Sequence, residues 1–333
     1  MHRFEYQRHQ TAEAAVRAAR GRELAQFIAG GTNMTDYMTL DVLQPRLLVD
    51  INGLAAGHSS IDVDDRRLRL GALVRMSQAE DHPAIRSQFP VIHETLKLAA
   101  SRQIRNMASL GGNVLQRTRC EYFRERSWPC NKREPGSGCA ALDGINRQHA
   151  VLGTSDHCIA TYPGDFAQAL IALDAVVETV GSASGYRRFA FEKLHVRPGD
   201  TPDVETTLAP GELITFIEVP AGPWTPRSHY VKVRDRESYQ FAITSAAVAL
   251  DLDGDVVREV RIALGGVATV PWRAREAEQM LKGQKLTEAL AERAADAAFA
   301  GARQRVHNAF KVPLGKSTLV RALLETSAMG IQS

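Results

Sequence analysis

LAQFIAGGTN, residues 24–33, runs from an apolar segment straight into paired glycines, Gly30 and Gly31, with Thr32 and Asn33 behind them. The apolar run predicts a buried strand, and the glycines predict a tight turn at its end. Glycine lets the backbone take positive φ and lets a ligand approach closely. The N–H groups of such a turn can converge on an anion, and Thr32 and Asn33 add side-chain donors. SLGGNV, residues 109–114, repeats the pattern with Gly111, Gly112 and Asn113. Two such turns on adjacent strands suit the two phosphates of a dinucleotide. Neither contains GxGxxG, so a Rossmann nucleotide site is not supported. Each pair taken alone also reads as an ordinary tight turn.

Outward from these turns, short apolar runs alternate with helical patterns. PRLLVDI (45–51) and RRLRLGAL (66–73) read as strands, and AIRSQFPVIHETLKLAAS (84–101) reads as one helix. DFAQALIALDAVVETV (165–180) opens as a helix that Asp165 can cap, then becomes strand-like. This alternation predicts mixed α/β layers. VPAGPWTPRSHY (219–230), with three prolines and a glycine, marks a linker near residue 222. It divides residues 1–222 from residues 223–333. Beyond it HYVKVR and ITSAAVALDLDGDVVREVRIALGG read as strands, with LDGD (252–255) as a hairpin turn. Helical patterns follow, an order typical of an α+β domain.

Hydrophobic residues make up 44% of the 333 and charged ones 24%, ordinary values for a globular chain. A net charge of +3 gives no strong case for a polyanionic partner. No apolar run approaches the ~18 residues of a membrane span. The start, MHRFEYQRHQTAEAAVRAAR, lacks a signal-peptide apolar region and a twin arginine. The chain is therefore expected in the cytoplasm unless a folded, signal-bearing partner carries it out.

The four cysteines are Cys120, Cys130, Cys139 and Cys158, spaced C-x9-C-x8-C-x18-C. The spacing lacks the short knuckle of most zinc sites and the familiar ferredoxin runs. A four-thiolate metal site fits it without being required by it. The surrounding loop, about 115–160, is rich in Pro, Gly and Arg, with little expected core, and a long irregular loop needs something to order it. Eight Lys/Arg against two Glu lie between Arg102 and Arg133. They read either as an offset to thiolate charge or as a solvated basic face. His149 and His157 are candidate replacements for a cysteine ligand. Two disulfides are the weaker alternative.

These segments resemble a known family. The FIAGGTN and LGGN turns, a later Y-P-x-D and a K-V-R are similar to the FAD-binding subunits of molybdenum hydroxylases of the xanthine dehydrogenase family. NVLQRTRCEYF, PCNKREPGSGCAALDGINRQHAVLG and CIATYPGD narrow the likeness to the periplasmic aldehyde oxidoreductases, whose FAD subunit carries an extra [4Fe–4S] cluster. The resemblance spans essentially the whole chain. It implies a two-lobed FAD-binding domain of the vanillyl-alcohol-oxidase (PCMH) type over 1–222. An α+β domain of the CO dehydrogenase flavoprotein type would follow. It places the FAD pyrophosphate on Ile28, Ala29, Gly30, Gly31, Thr32, Asn33 and Met34, with Ser109, Gly112 and Asn113 holding it from the second turn. Asp165 matches an acidic FAD-binding residue, and Ile214 and Lys232 match positions beside the isoalloxazine. On composition alone Lys232 would read as an exposed strand lysine. Ala99 stands where an aromatic often covers the flavin, and Tyr239 and Phe241 are substitutes for it or core residues.

By the same resemblance, Cys120, Cys130, Cys139 and Cys158 ligate the cluster. A small [2Fe–2S] subunit and a large molybdenum-cofactor subunit complete a heterotrimer. The large subunit oxidises an aldehyde to a carboxylic acid, and electrons reach this FAD and then an external acceptor. No catalytic residue is expected in this chain and no nucleic-acid partner. Arg124 and Arg126 are expected at a subunit interface, and export would be periplasmic, with the folded partner. Two readings compete. One is a stand-alone flavin oxidase of the same fold. The other is a zinc-stabilised nucleic-acid-binding protein using the arginine-rich loop.

Overall fold

A computed structural model describes residues 1–181 and 185–330 of the chain. Leu47–Asp50 is buried along its length. It pairs in parallel with Glu5–Arg8 on one side and with Ala25–Ile28 on the other. Helix Ala12–Ala19, opened by the Thr11 hydroxyl accepting from the Ala14 N–H at 3.2 Å, buries Ala12, Ala15, Val16 and Ala19 against this small sheet. That is the first lobe.

The second lobe is a five-stranded antiparallel sheet in the order Ile61–Val63, Arg67–Gly71, Leu213–Pro220, Val176–Gly181, Gly185–Ala190. Leu68 and Leu70 point to the core, while Arg69 crosses the other face to Glu178 at 2.8 Å. The helix expected over 84–101 is broken in two, Pro83–Gln88 and Pro90–Lys97. Proline disfavours helical backbone in the residue before it, and Phe89 sits at φ −134°, ψ 57°.

Past the linker, the hairpin is where LDGD places it. Thr244–Asp253 pairs with Val256–Gly265, closing over Gly254 at φ +57°. Ser228–Val233 and Trp272–Arg273 complete a four-stranded sheet. On one face Val248, Leu250, Ile262 and Leu264 pack under helices Arg275–Leu281, Glu288–Ala298 and Lys311–Ser327. On the other, Ala247, Ala249 and Ala263 join the core of the second lobe, against helices Pro90–Lys97 and Phe166–Ala172. Small side chains let the helices approach closely. This sheet is thus buried on both faces and ties the two halves of the chain together.

His229 bridges the same junction. Its Nδ1 lies 2.9 Å from Glu94 of the second lobe, and its Nε2 lies 3.1 Å from Glu325 of the last helix. The Glu94 bond, then Glu325, raises its pKa above the ordinary 6.5. A raised folded pKa gives stability that is full below 6.5 and is lost as pH rises through the folded value. His229→Gln should therefore flatten the dependence of Tm on pH above 6.5. An unchanged slope would show that the bridge carries no linkage.

The cysteine loop departs from expectation in one respect. It is largely irregular, but it contains core: Phe123, Val151 and Leu152 are buried. Val151 and Leu152 belong to the core of the C-terminal half, and Leu152 forms a parallel bridge to Ala268. Lys311 reinforces the join, donating to the carbonyls of Gln148, His149 and Gly266 at 2.7–3.1 Å. Among the described residues no helix is long and apolar enough to cross a membrane.

Candidate cofactor site

The first glycine pair follows its strand as expected. Gly31 takes φ +74°, and its carbonyl accepts from the Thr35 hydroxyl at 2.7 Å. Gly30 is required by packing: a Cβ there would stand 1.8 Å from the Met107 carbonyl oxygen. The second pair is not a turn after a strand. LGGNV is a short helix, Leu110–Val114, preceded by helix Arg102–Met107. Ser109 caps it, accepting from the Gly112 N–H at 3.3 Å. The serine cap outweighs the glycine pair as a signal, and Gly111 backs onto Ala72, where a Cβ would fall 2.9 Å from the Ala72 Cβ. The two glycine segments therefore meet through Gly30 and Met107 rather than at the ends of neighbouring strands.

Both segments open onto one cleft of about 1420 Å³. Its lining includes Ile28, Ala29, Gly30, Gly31, Thr32, Asn33 and Met34 from the first glycine segment, and Ser109, Gly112 and Asn113 from the second. Asp165, Ile214, Ala99, Tyr239 and Phe241 also line it. Tyr239 and Phe241 are exposed, so they are not core. Asn113 Oδ1 is buried without a partner, an arrangement that a bound polar group would satisfy. Backbone brought close by glycines, an unpartnered amide and a long cleft fit a dinucleotide.

Lys232 is not part of this lining. Nor is it an exposed strand lysine. Its ammonium is buried, 2.8 Å from Asp165 Oδ2 and 3.0 Å from the Leu98 carbonyl. Tyr230 donates to Asp165 Oδ1 at 2.6 Å, and burial pushes its phenol well above the usual range. Asp165 stands at the helix N-cap position, yet its side chain does not cap Phe166–Ala172. Charge-assisted bonds to the two side chains from strand Ser228–Val233 hold it instead.

The cysteines lie at four points of the loop. Cys130 and Cys139 oppose each other in an antiparallel bridge. Cys120 Sγ lies 3.1 Å from His149 Nε2, and the Ala160 N–H donates to Cys158 Sγ at 3.4 Å. All four are free thiols, which removes the disulfide alternative. Burial, then the proximity of Cys130 and Cys158, pushes Cys120 up to about 12. Burial likewise pushes Cys158 up to about 11 and raises Cys139. Neighbouring sulfurs add to each of these shifts. Among the described residues no three His, Cys, Asp or Glu side chains already stand in a metal-ligand arrangement. The donor chemistry fits a thiolate-held centre: buried thiols with raised pKa ionise when a metal takes the proton's place. His149 is held neutral by burial, its pKa lowered to about 4. His157 is half exposed and faces Asp200 at 3.5 Å.

The arginines of this loop are paired within the chain. Arg117 pairs with Glu205, Arg126 with Asp41, and Arg124 with Asp36 at 2.7 and 3.0 Å. Arg133 donates to the carbonyls of Tyr122 and Phe123 at 2.9 and 2.8 Å. Charge reversal at Arg124 or Arg126 would thus perturb this chain before any partner. Beyond the linker, Arg236 and Gln240, which no sequence motif singled out, reach the cleft beside Tyr239 and Phe241. The polar-aromatic makeup of the stretch after VKVR was the available signal.

Comparison with known proteins gives a consistent result. The family described as the FAD binding domain in molybdopterin dehydrogenase matches residues 2–222. The CO dehydrogenase flavoprotein C-terminal domain matches residues 229–326. The aldehyde oxidoreductase FAD-binding subunit PaoB of Escherichia coli (strain K12) is 45% identical over 329 residues, covering 98% of this chain and 99% of that protein. The glyceraldehyde dehydrogenase medium chain of Sulfolobus acidocaldarius is 26% identical over 287 residues, covering 86% of this chain and 84% of that one. Reconstituted CO dehydrogenase from Oligotropha carboxidovorans shares the fold, with a TM-score of 0.77 at 23% identity over 99% of both chains. The expected fold class, an FAD-binding domain followed by a CO dehydrogenase flavoprotein-type domain, agrees with these matches.

Proposed function

Because the chain belongs to the FAD-binding subunits of the molybdenum hydroxylase family, an oxidoreductase family, we propose that it is the electron-transfer flavoprotein of a heterotrimeric, molybdenum-dependent aldehyde oxidoreductase. Its partners are a small [2Fe–2S] subunit and a large molybdenum subunit in which the aldehyde becomes a carboxylic acid. The observation that carries this reading is the single cleft shared by both glycine segments and Asp165, in a chain 45% identical to an aldehyde oxidoreductase FAD-binding subunit.

Bound FAD supplies redox chemistry that accepts electrons singly and releases them singly or in pairs. The chain's residues bind and orient it. Ile28 to Met34 hold the pyrophosphate from one side, and Ser109, Gly112 and Asn113 hold it from the other. Asp165 and Ile214 stand beside the cofactor, with Lys232 behind Asp165 fixing its carboxylate. Gly30→Ala should drive a Cβ into Met107 and empty the cleft of flavin. Full flavin content in that variant would contradict the assignment of the turn.

Cys120, Cys130, Cys139 and Cys158 would hold a [4Fe–4S] cluster, which supplies single-electron exchange and orders the loop. Four free thiols on one loop, with Cys130 opposite Cys139 and with Cys130 and Cys158 buried, support it. Export to the periplasm with a signal-bearing partner belongs to the same reading.

The test is capture of the tagged chain from cells that also express its neighbouring genes. Two further chains should co-purify, and an aldehyde added without oxygen should bleach the visible flavin band. Recovery of the chain alone with FAD and its own turnover would favour a stand-alone flavin oxidase. A colourless chain containing zinc would sink the electron-transfer reading.

A further inference from the structure

We propose that Arg119, carried on the cysteine loop, is a ligand of the FAD diphosphate. This rests on the FAD reading above and adds a contact from outside both glycine segments.

The Arg119 Nη2 donates to Asn33 Oδ1 at 2.6 Å, and Nη1 donates to Asp36 Oδ2 at 3.0 Å. Asn33 closes the first glycine turn, and Asp36 lies just beyond it. The guanidinium is therefore hydrogen-bonded to side chains of the segment that would hold the phosphates. It lines the cleft and lies over the Phe241 ring at 5.2 Å. Its Nε–H is buried and has no partner. A buried, unpartnered donor on a charged group is costly unless a ligand or water satisfies it. Arg117 and Arg124, which also line the cleft, are paired with Glu205 and Asp36.

Charge counting points the same way. Asp36 is shared between Arg119 and Arg124, which together hold its pKa below the usual carboxylate range. Two guanidiniums against one carboxylate leave net positive charge at the turn, while a dinucleotide diphosphate carries net negative charge. Guanidinium presents five donors in a planar fork suited to phosphate. Arg119 is also bonded in sequence to Cys120, so disorder of the cysteine loop withdraws this contact. Flavin affinity and loop order are thereby linked.

The experiment uses the purified complex, stripped of flavin and titrated with FAD or riboflavin by flavin fluorescence. Arg119→Gln should weaken FAD about 10- to 100-fold, the scale of one charge-assisted hydrogen bond. Riboflavin, which has no phosphate, should bind both forms alike. Arg119→Lys should recover part of the FAD affinity, because it keeps the charge and loses the fork. Should the Gln variant not fold, the Lys variant carries the test, with FAD weakened several-fold and riboflavin unchanged. FAD affinity equal to wild type, or equal losses of FAD and riboflavin, would overturn the proposal. Wild-type complex that binds no FAD would instead overturn the flavin reading itself.

Discussion

Asp165→Ala is expected to destabilise the protein by about 3–5 kcal/mol, the usual cost of removing one partner from a buried ion pair. The Lys232 side chain is 1% exposed and that of Asp165 5% exposed, so water cannot replace the lost carboxylate. The ammonium keeps only the Leu98 carbonyl, and the Tyr230 hydroxyl loses its acceptor. Asp165 opens a helix of the second lobe, whereas Tyr230 and Lys232 lie on a strand past the linker. The substitution therefore strikes the join between the halves as well as the wall of the cleft. Denaturant unfolding should show the loss, and flavin content should fall with it. The paired change Asp165→Ala with Lys232→Met should recover part of the stability, because the uncompensated charge is gone. A single variant within experimental error of wild type would contradict this account of the join.

The second large effect is expected at Cys130. Cys130→Ser should remove about four irons, one [4Fe–4S] cluster, from each complex. Cys130 opposes Cys139 directly and packs with Phe123 and Val42. A hydroxyl is a poor substitute for thiolate toward iron, while the near-equal size should leave that small core standing. Iron content measured against the partner-only complex is the readout. Unchanged iron would remove Cys130 from the ligand set and leave the loop ordered by packing through Phe123, Val151 and Leu152.

Much of the fold was legible because local chemistry and tertiary packing agree. The LDGD hairpin closes where a two-residue turn with glycine belongs. The strands of LLVD and RLRL carry the apolar content or alternation that their burial requires. The misreadings have physical causes. Pro90 breaks a continuous apolar helix pattern because it constrains Phe89, a backbone effect that periodicity alone does not register. LGGNV reads as a turn from its glycines, but Ser109 caps a helix there. Asp165 was a plausible cap, and no local signal revealed that Tyr230 and Lys232 would claim its side chain from 65 and 67 residues away. Arg119 disappeared into a count of basic residues for the same reason. Its partners Asn33 and Asp36 lie 86 and 83 residues earlier. The glycine pairs and cysteines announced themselves by residue type, while the residues that orient them depend on long-range contacts.

Quantifying flavin, iron and zinc in the purified complex, together with its visible spectrum, tests the central claim most directly. One FAD for each copy of this chain, and about four irons beyond those held by the partners, is the result expected for a flavoprotein with one [4Fe–4S] cluster. Zinc with no flavin would contradict the account, and the cleft between the two glycine segments would then need another occupant.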